Sequence, residues 1–337
     1  PINSDKHQEL GIPLVLEPVL FSSDFHFPVR ATIAEVYEQA KSDIETAIDL
    51  PEFIGRGRAS KYTAKAYLAR IAFQMEDYPL TAEMCSGVID SGNFELTTSP
   101  LFFFRETGNF EQEEIWVFPS SADEGIGYPG LVGVFRHPGY PASITADIRE
   151  NGFEKIVTSE QLAVLESLNY NMVDLRVDPG ILFQDSLIYG DSTLTNKYEG
   201  NWLGLENDTP NARLAEFMLM KAECLALEGL FEPSVDLLNE IRARSLRVVD
   251  ADNTVVPDAE LEYLLFEASN FQSIEDLREA IILERRVELA FEGNYFHDLM
   301  RLKRPIGEHS FDSERLRLPV PQREMDTNPK LVQNPGY

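Results

Sequence analysis

Apolar residues recur at helical spacing in four separate stretches of the chain. These stretches cover residues 32–50, 60–91, 211–245 and 273–303, with apolar side chains every three or four positions. The first stretch begins with Thr32, and Glu35 follows three residues later in the opening turn. This spacing is the pattern of a helix capping box. We expect an all-α, mainly helical protein in which residues 32–91, 211–245 and 273–303 form one helical body.

Two of these stretches contain the same paired-helix unit. Tyr78 lies at the turn of the first unit and Phe231 at the turn of the second, 153 residues later, and the alignment that joins them also joins Ala69 to Ala222. Helix pairs of this length with an aromatic residue at the turn are typical of tetratricopeptide-like repeats, which bury their outer faces against neighbouring repeats.

The residues between the two units, 94–205, have a different character. They predict short strands at 114–118, around 181–187 and at 196–198, and a helix at 159–167. Residues 119–143 are rich in proline and glycine and have no periodicity. Because long loops in compact proteins are commonly functional, we expect a loop-rich, irregular insertion that contains a binding surface.

Residues 283–304 read LERRVELAFEGNYFHDLMRLKR and predict two helices that meet at Gly293. Arg285, Glu288 and Glu292 are spaced as neighbours along the edge of an apolar stripe. One interpretation is a partly buried ion-pair network that fixes the helix register. The other is an active site built on Glu288 and Glu292.

The composition of the chain excludes some classes of binding partner. The chain has 337 residues and a net charge of −28, so nucleic acid and anionic membrane surfaces, which need a positive footprint, are not expected partners. No apolar run is long enough to span a membrane.

Cys85 and Cys224 lie in helical apolar patterns and are expected to be free, buried thiols. Residues 1–10 contain neither the apolar core of a signal peptide nor a cysteine for lipidation.

The 284–304 segment closely resembles a conserved segment of the SusD/RagB family, the surface glycan-binding lipoproteins of Bacteroidetes bacteria. Further matches occur in the same order along the chain. They are Gly11-Ile12-Pro13-Leu14-Val15, Gly57-Arg58-Ala59-Ser60-Lys61, Glu113-Glu114-Ile115-Trp116, Asp174-Leu175-Arg176, Arg213-Leu214-Ala215-Glu216, Leu318-Pro319-Val320-Pro321 and Gln333-Asn334-Pro335-Gly336-Tyr337. Each match alone is unspecific, but their common order is specific.

The resemblance implies a single SusD-like domain over residues 1–337, with tetratricopeptide-like repeats that support an irregular glycan-binding region. It implies a non-catalytic receptor, without cofactor or metal, that captures oligosaccharide or peptide nutrients on the outward face of the outer membrane. A lipid anchor holds such proteins there beside a SusC-like TonB-dependent transporter. Family members carry further helices before the segment that matches residues 11–15, so we expect this chain to be the C-terminal part of a longer precursor.

Five residues of the 119–143 segment are the expected ligand contacts: Tyr128, Phe135, Arg136, His137 and Tyr140. Sugar rings stack their C–H faces on aromatic rings, and sugar hydroxyls need planar polar partners, which this mixture supplies. The same side chains would equally suit packing of the loop onto the body. Trp116 and Trp202 are expected to serve packing.

Two other functions are consistent with parts of the sequence. The helical grooves would suit a tetratricopeptide-type scaffold that binds a peptide or protein partner. An acidic hydrolase is a weaker alternative, because no motif places two carboxylates across a cleft and no G-x-S-x-G elbow occurs. The five histidines show no metal-ligand spacing, so neither catalytic residues nor a metal site are expected.

Overall fold

Helices dominate the part of the chain that the computed structural model describes, and the all-α, mainly helical prediction is confirmed. The described residues are 8–24, 26–52, 57–100, 104, 112–119, 142–177, 184–185, 193–195, 197–198, 208–256 and 258–337. The helices are α1 (Ile33–Ala47), α2 (Lys61–Gln74), α3 (Tyr78–Ile89), α4 (Ala142–Asn151), α5 (Ser159–Ser167), α6 (Leu214–Leu227), α7 (Phe231–Ser245), α8 (Ile274–Glu288), α9 (Asn294–Arg301) and α10 (Gln322–Thr327).

Short strands form antiparallel pairs beside the helices. They are β1 (Leu10–Pro13), β2 (Arg30–Thr32), β3 (Glu114–Phe118), β4 (Asn171–Asp174), β5 (Gln184–Asp185), β6 (Thr193–Leu194), β7 (Thr209–Arg213) and β8 (Leu246–Val249). The described pairs are β1–β2, β3–β7, β4–β8 and β5–β6. The β3–β7 pair places the start of β3 beside the start of α6, and this position determines the charged cluster described below.

Side-chain caps explain where the helices of the first repeat begin. Thr32 and Glu35 form the predicted capping box of α1, and Ser60 with Thr63 forms the equivalent box for α2. Asp77 accepts the Leu80 N–H at 3.2 Å and so caps α3.

The two predicted helix pairs are both present and pack together. Tyr78 begins α3 and Phe231 begins α7, so each aromatic residue follows the turn of its own pair. Ala69 and Ala222, which the sequence alignment joins, are both fully buried. Small residues at these positions let α2 and α6 lie deep in the body.

The core runs continuously through both helix pairs. One apolar cluster joins α2 and α3 to α6 through Leu68, Phe73 and Phe217, and a second joins α6 to α7 and α8 through Leu219 and Leu238. α6 contributes to both clusters and is buried on nearly all sides. It is therefore the central helix of the body.

α8 ends earlier than the sequence indicates. Its last helical residue is Glu288 rather than the residue before Gly293, and residues 289–293 form a corner that leads into α9. Phe291 has φ +65° and Gly293 has φ +84° within this corner. Side chains from outside the helix bind the carbonyl oxygens of this corner, which stabilises the early end.

The described parts of the 94–205 insertion agree in outline with the sequence. α5 covers the predicted residues, and β3 ends before Pro119 as expected. The small hairpin is also present, although its second strand lies at Thr193–Leu194 rather than at 196–198. None of the helices in the described regions is long and apolar enough to cross a lipid bilayer.

Candidate functional site

Buried charged side chains surround the C-terminal end of α8. Glu288 Oε1 accepts hydrogen bonds from Arg213 Nη1 at 2.7 Å and from Arg244 Nη2, and Oε2 accepts from Arg176 Nη1 at 3.3 Å. Arg213 and Arg244 also donate to the two oxygens of Glu113, at 2.9 and 3.0 Å. One carboxylate therefore joins three arginines that lie far apart in sequence.

Backbone pairing brings two members of this cluster together. Arg213 is the last residue of β7 and lies opposite Glu114 of β3. The Leu214 N–H donates to the Glu113 carbonyl at 3.0 Å, so the first turn of α6 is connected to the chain just before β3. Arg213 and Glu113 therefore meet because a strand pair ends where a helix begins.

A second cluster of ion pairs lies between α2, α6, α8 and α9. Its pairs are Arg285–Asp298, with N–O distances of 3.1 and 3.2 Å, Arg301–Glu223, with distances of 2.7 and 2.9 Å, and Arg70–Glu216, with distances of 2.8 and 2.6 Å. The Arg301 guanidinium also lies 3.8 Å from the centre of the Phe73 ring. Although Arg285 is near Glu288 in sequence, its carboxylate partner is Asp298 from the next helix.

These contacts keep the two candidate catalytic carboxylates ionised. Burial alone would raise the pKa of Glu288, but Arg244, Arg213 and Arg176 outweigh it and hold that pKa well below its ordinary value. Burial also opposes ionisation of Glu292, and there Arg213 and Lys197 lower the pKa. Neither carboxyl group retains a proton to donate near neutral pH. The geometry thus supports the ion-pair interpretation of this segment rather than an active site.

A cleft of about 540 Å³ opens next to the second cluster. It lies between α1, α2, β7, α6, α8 and α9. Its lining includes Tyr37, Tyr67, Arg70, Gln74, Asn211, Glu216, Arg285, Glu292, Asn294, His297 and Asp298. Arg70 is held in place by Glu216 and by the Asn211 carbonyl, and its guanidinium lies 5.2 Å from the centre of the Tyr67 ring. This wall of the cleft is therefore fixed before any ligand arrives.

Other polar side chains of the cleft are not engaged in this way. Tyr37, Gln74, Asn294 and His297 line it, and their side chains have no hydrogen-bond partner within the described ranges. Partial burial lowers the pKa of His297, which favours the neutral imidazole. The cleft therefore offers neutral donors and acceptors beside aromatic rings, which suits a neutral polar ligand or a peptide backbone.

Within the described ranges, no group of three or more His, Cys, Asp or Glu side chains is arranged to hold a metal ion. Cys85 and Cys224 are free and buried, as the sequence predicts. Trp116 packs in the predicted manner, with its ring 5.5 Å from that of Tyr67 and its Nε1 donating to the Gly57 carbonyl at 3.3 Å.

Comparison with known sequences shows which proteins the chain resembles. The sequence profile of the SusD family matches residues 191–310. The SusD-like protein P38 of Formosa agariphila is 25% identical over 369 aligned positions, which include 97% of this chain and 70% of that protein. Over residues 191–310, and at lower identity over most of its length, this chain is similar to the SusD family. The SusD-like protein P2 of the same organism is 26% identical, and the match spans 90% of this chain but only 65% of that protein.

Solved structures show the same fold at lower sequence identity. A SusD superfamily protein from Bacteroides fragilis is 21% identical with a TM-score of 0.72, and the match covers 97% of this chain and 70% of that one. A laminarin-binding SusD-like protein is 22% identical with a TM-score of 0.65, and the match covers 97% of this chain and 74% of that one. These similarities establish the helical SusD-like architecture.

The five ligand-binding residues predicted from the SusD resemblance lie outside the described residues. Tyr128, Phe135, Arg136, His137 and Tyr140 all fall in the gap between residues 119 and 142, and Trp202 falls in another. Their role as ligand contacts therefore stays a prediction.

Sequence reasoning did not identify the cleft. Tyr37 appears in sequence only as one member of an apolar helical stripe, and His297 appears only as an isolated histidine. The cleft residues come from six helices and strands and have no common motif. The one available signal was the Gly293 corner, because its turn places Asn294 and His297 at the start of α9 beside the cleft.

Proposed function

We propose that this chain is a non-catalytic surface receptor that captures oligosaccharide for uptake through a SusC-like TonB-dependent transporter. Its place is the outward face of the outer membrane, where a lipid anchor holds it. Similarity to the SusD family carries the proposal, because proteins of the same fold include a laminarin-binding SusD-like protein and a sugar-binding protein of Bacteroides vulgatus.

The structure of the body is consistent with a receptor that binds without chemistry. Glu288 and Glu292 are ionised and engaged by arginine or lysine, so they act as structural groups in a rigid scaffold. We place the ligand contacts at Tyr128, Phe135, Arg136, His137 and Tyr140 in the insertion.

Affinity electrophoresis tests this proposal against a panel of neutral polysaccharides that includes laminarin. The natural protein should be retarded by at least one glycan, and the Tyr128→Ala/Tyr140→Ala variant should lose that retardation. Binding that survives in this variant would move the glycan site elsewhere on the molecule. Absence of retardation by every neutral glycan would contradict the receptor proposal, and measurable turnover of any of them would contradict its non-catalytic part.

A second candidate function is a tetratricopeptide-type scaffold, and the cleft is the observation that favours it. Helices α2 and α6 of the repeats form part of its walls, and Gln74 and Asn294 present side-chain amides that have no hydrogen-bond partner among the described residues. Amides of this kind can pair with the backbone of an extended or helical polypeptide. Under this hypothesis a Gln74→Ala/Asn294→Ala variant loses capture of a polypeptide partner, whereas the Tyr128→Ala/Tyr140→Ala variant retains it.

A further inference from the structure

Two adjacent residues of the insertion contact the corner between α8 and α9. Lys197 Nζ donates to the Glu288 carbonyl at 3.1 Å, to the Ala290 carbonyl at 2.8 Å and to Glu292 Oε1 at 2.5 Å. The hydroxyl of Tyr198 donates to the Phe291 carbonyl at 3.0 Å. Four acceptors of one short corner are thus bound by two consecutive side chains.

The corner depends on such donors. The last carbonyl groups of an α-helix have no partner within the helix, and a buried carbonyl without a partner is costly. The corner also contains Phe291 at φ +65°, a conformation that side-chain-bearing residues rarely adopt. Arg213 supplies one further donor, to the Glu288 carbonyl at 2.8 Å. The remaining carbonyl contacts given above come from the insertion.

The ammonium group of Lys197 is completely enclosed, with a side-chain exposure of 2%. The charged groups that face it are Glu292 and Glu288 from the corner and α8, and Arg213 from the end of β7. The Phe104 ring covers it at 4.6 Å from the ring centre. Two carboxylates therefore favour its charge, while burial and one arginine oppose it.

We propose that Lys197 and Tyr198 form a proton-linked clamp that fastens their own short segment of the chain to the α8–α9 corner. When the clamp is closed, the Lys197 side chain is removed from water and makes the contacts described above. When the clamp opens, Lys197 returns to water. The clamp thus couples the position of Lys197 and Tyr198 to the protonation of one lysine.

The direction of the pH effect follows from linkage. Burial is the largest influence on Lys197 and lowers its pKa from 10.5 to about 8 in the closed state, whereas the open state has the ordinary value. Between these two values the open state binds more protons than the closed state. Raising the pH through this window therefore favours closure, by about tenfold between pH 7 and pH 9.

Pulsed amide hydrogen exchange on the intact chain without glycan tests the clamp, and so does not depend on the proposed function. Protection of peptides that contain residues 193–198 and 287–293 is measured from pH 7 to pH 9 and corrected for the intrinsic exchange rate. We expect about tenfold greater protection at pH 9 than at pH 7 in the natural sequence. Lys197→Met should abolish this increase, whereas Lys221→Met, which removes a lysine paired with Asp90 at the surface, should retain it.

Tyr198→Phe provides a second variant that removes only one hydroxyl group. It should raise exchange in the same peptides about fivefold at every pH, because one hydrogen bond is lost, and should keep the pH dependence. The proposal is overturned if protection of these peptides does not rise with pH in the natural sequence. It is also overturned if Tyr198→Phe leaves their exchange unchanged.

Discussion

Arg213 and Glu288 are 75 residues apart in sequence, yet they are joined by two hydrogen bonds. Arg213 Nη1 donates to Glu288 Oε1 at 2.7 Å, and Nη2 donates to the Glu288 carbonyl at 2.8 Å. Both side chains are about 2% exposed. The pair therefore connects the start of α6, the central helix of the body, to the end of α8.

The first prediction concerns loss of the central carboxylate. Glu288→Gln keeps the side-chain shape but removes the charge that Arg213, Arg244 and Arg176 share. Breaking a buried pair leaves uncompensated charge, so we expect the free energy of unfolding to fall by about 3–5 kcal/mol. Urea denaturation measures this change.

Glu279→Gln is the matched control for that variant. Glu279 pairs with Arg304 at the surface, where the two side chains are 47% and 33% exposed. Exposed pairs contribute little, so the control should change the free energy of unfolding by less than about 1 kcal/mol. Similar losses of unfolding free energy in the two variants would show that the buried cluster stabilises the fold no more than an exposed pair does.

The second prediction concerns the stability of the fold at low pH. The pKa values of Glu223, Glu288 and Glu292 are all lowered in the folded state, in each case because arginine or lysine contacts outweigh the effect of burial. Such carboxyl groups stabilise the fold fully above their unfolded pKa of about 4.3, and this contribution is lost as the pH falls through the lower folded values.

We therefore expect the free energy of unfolding to be nearly level from pH 7 to pH 5 and to fall steeply below pH 4. Urea denaturation at each pH gives this profile. Because Gln cannot titrate, Glu288→Gln should show a shallower fall below pH 4 than the natural sequence. Parallel acid profiles for the two proteins would contradict the assignment of the lowered pKa to Glu288.

The third prediction separates backbone strain from steric clash at two glycines. Gly57 and Gly229 both have left-handed backbone conformations, with φ of +79° and +78°. A Cβ atom at Gly57 would lie 2.6 Å from Pro119 Cδ, whereas nothing lies within 4 Å of one at Gly229. We expect Gly229→Ala to cost about 1 kcal/mol of stability, and Gly57→Ala to cost about 2–4 kcal/mol.

Thermal and urea unfolding of the two alanine variants decides this point. Equal losses would mean that Pro119 moves aside without cost, and the contact between the turn before α2 and the end of β3 would then be loose.

The fourth prediction concerns the thiols. Cys85 and Cys224 are buried, and burial raises the pKa of both, that of Cys224 to about 12. Because the thiolate is the reactive form, neither should react with an aromatic disulfide reagent at pH 8 in the folded protein. Two thiols per chain should react in denaturant. Rapid reaction of either thiol without denaturant would contradict the packing between α3 and α6.

The elements that local chemistry determines were predictable from sequence. The capping box at Thr32, the N-cap at Ser273 and the paired helices around Tyr78 and Phe231 all appear where the pattern indicates. Each depends on residues three or four positions apart, or on turn residues, so a short window contains the information.

The charged cluster and the cleft depend on distant residues and were not predictable in detail. Sequence suggested a network around Glu288, but its partners Arg213, Arg244 and Arg176 come from other elements. The early end of α8 has the same origin, because Lys197 and Arg213 bind carbonyl oxygens that a local pattern assigns to a continuing helix. No local spacing encodes such contacts.

The measurement that tests the central claim most directly is isothermal titration of the glycan identified by electrophoresis. It compares the natural protein with the Tyr128→Ala/Tyr140→Ala and Gln74→Ala/Asn294→Ala variants. Our account predicts saturable binding that is lost in the tyrosine variant and unchanged in the cleft variant. Binding lost only in the cleft variant, or absent from the natural protein for every neutral glycan, would contradict a glycan receptor whose site lies in the insertion.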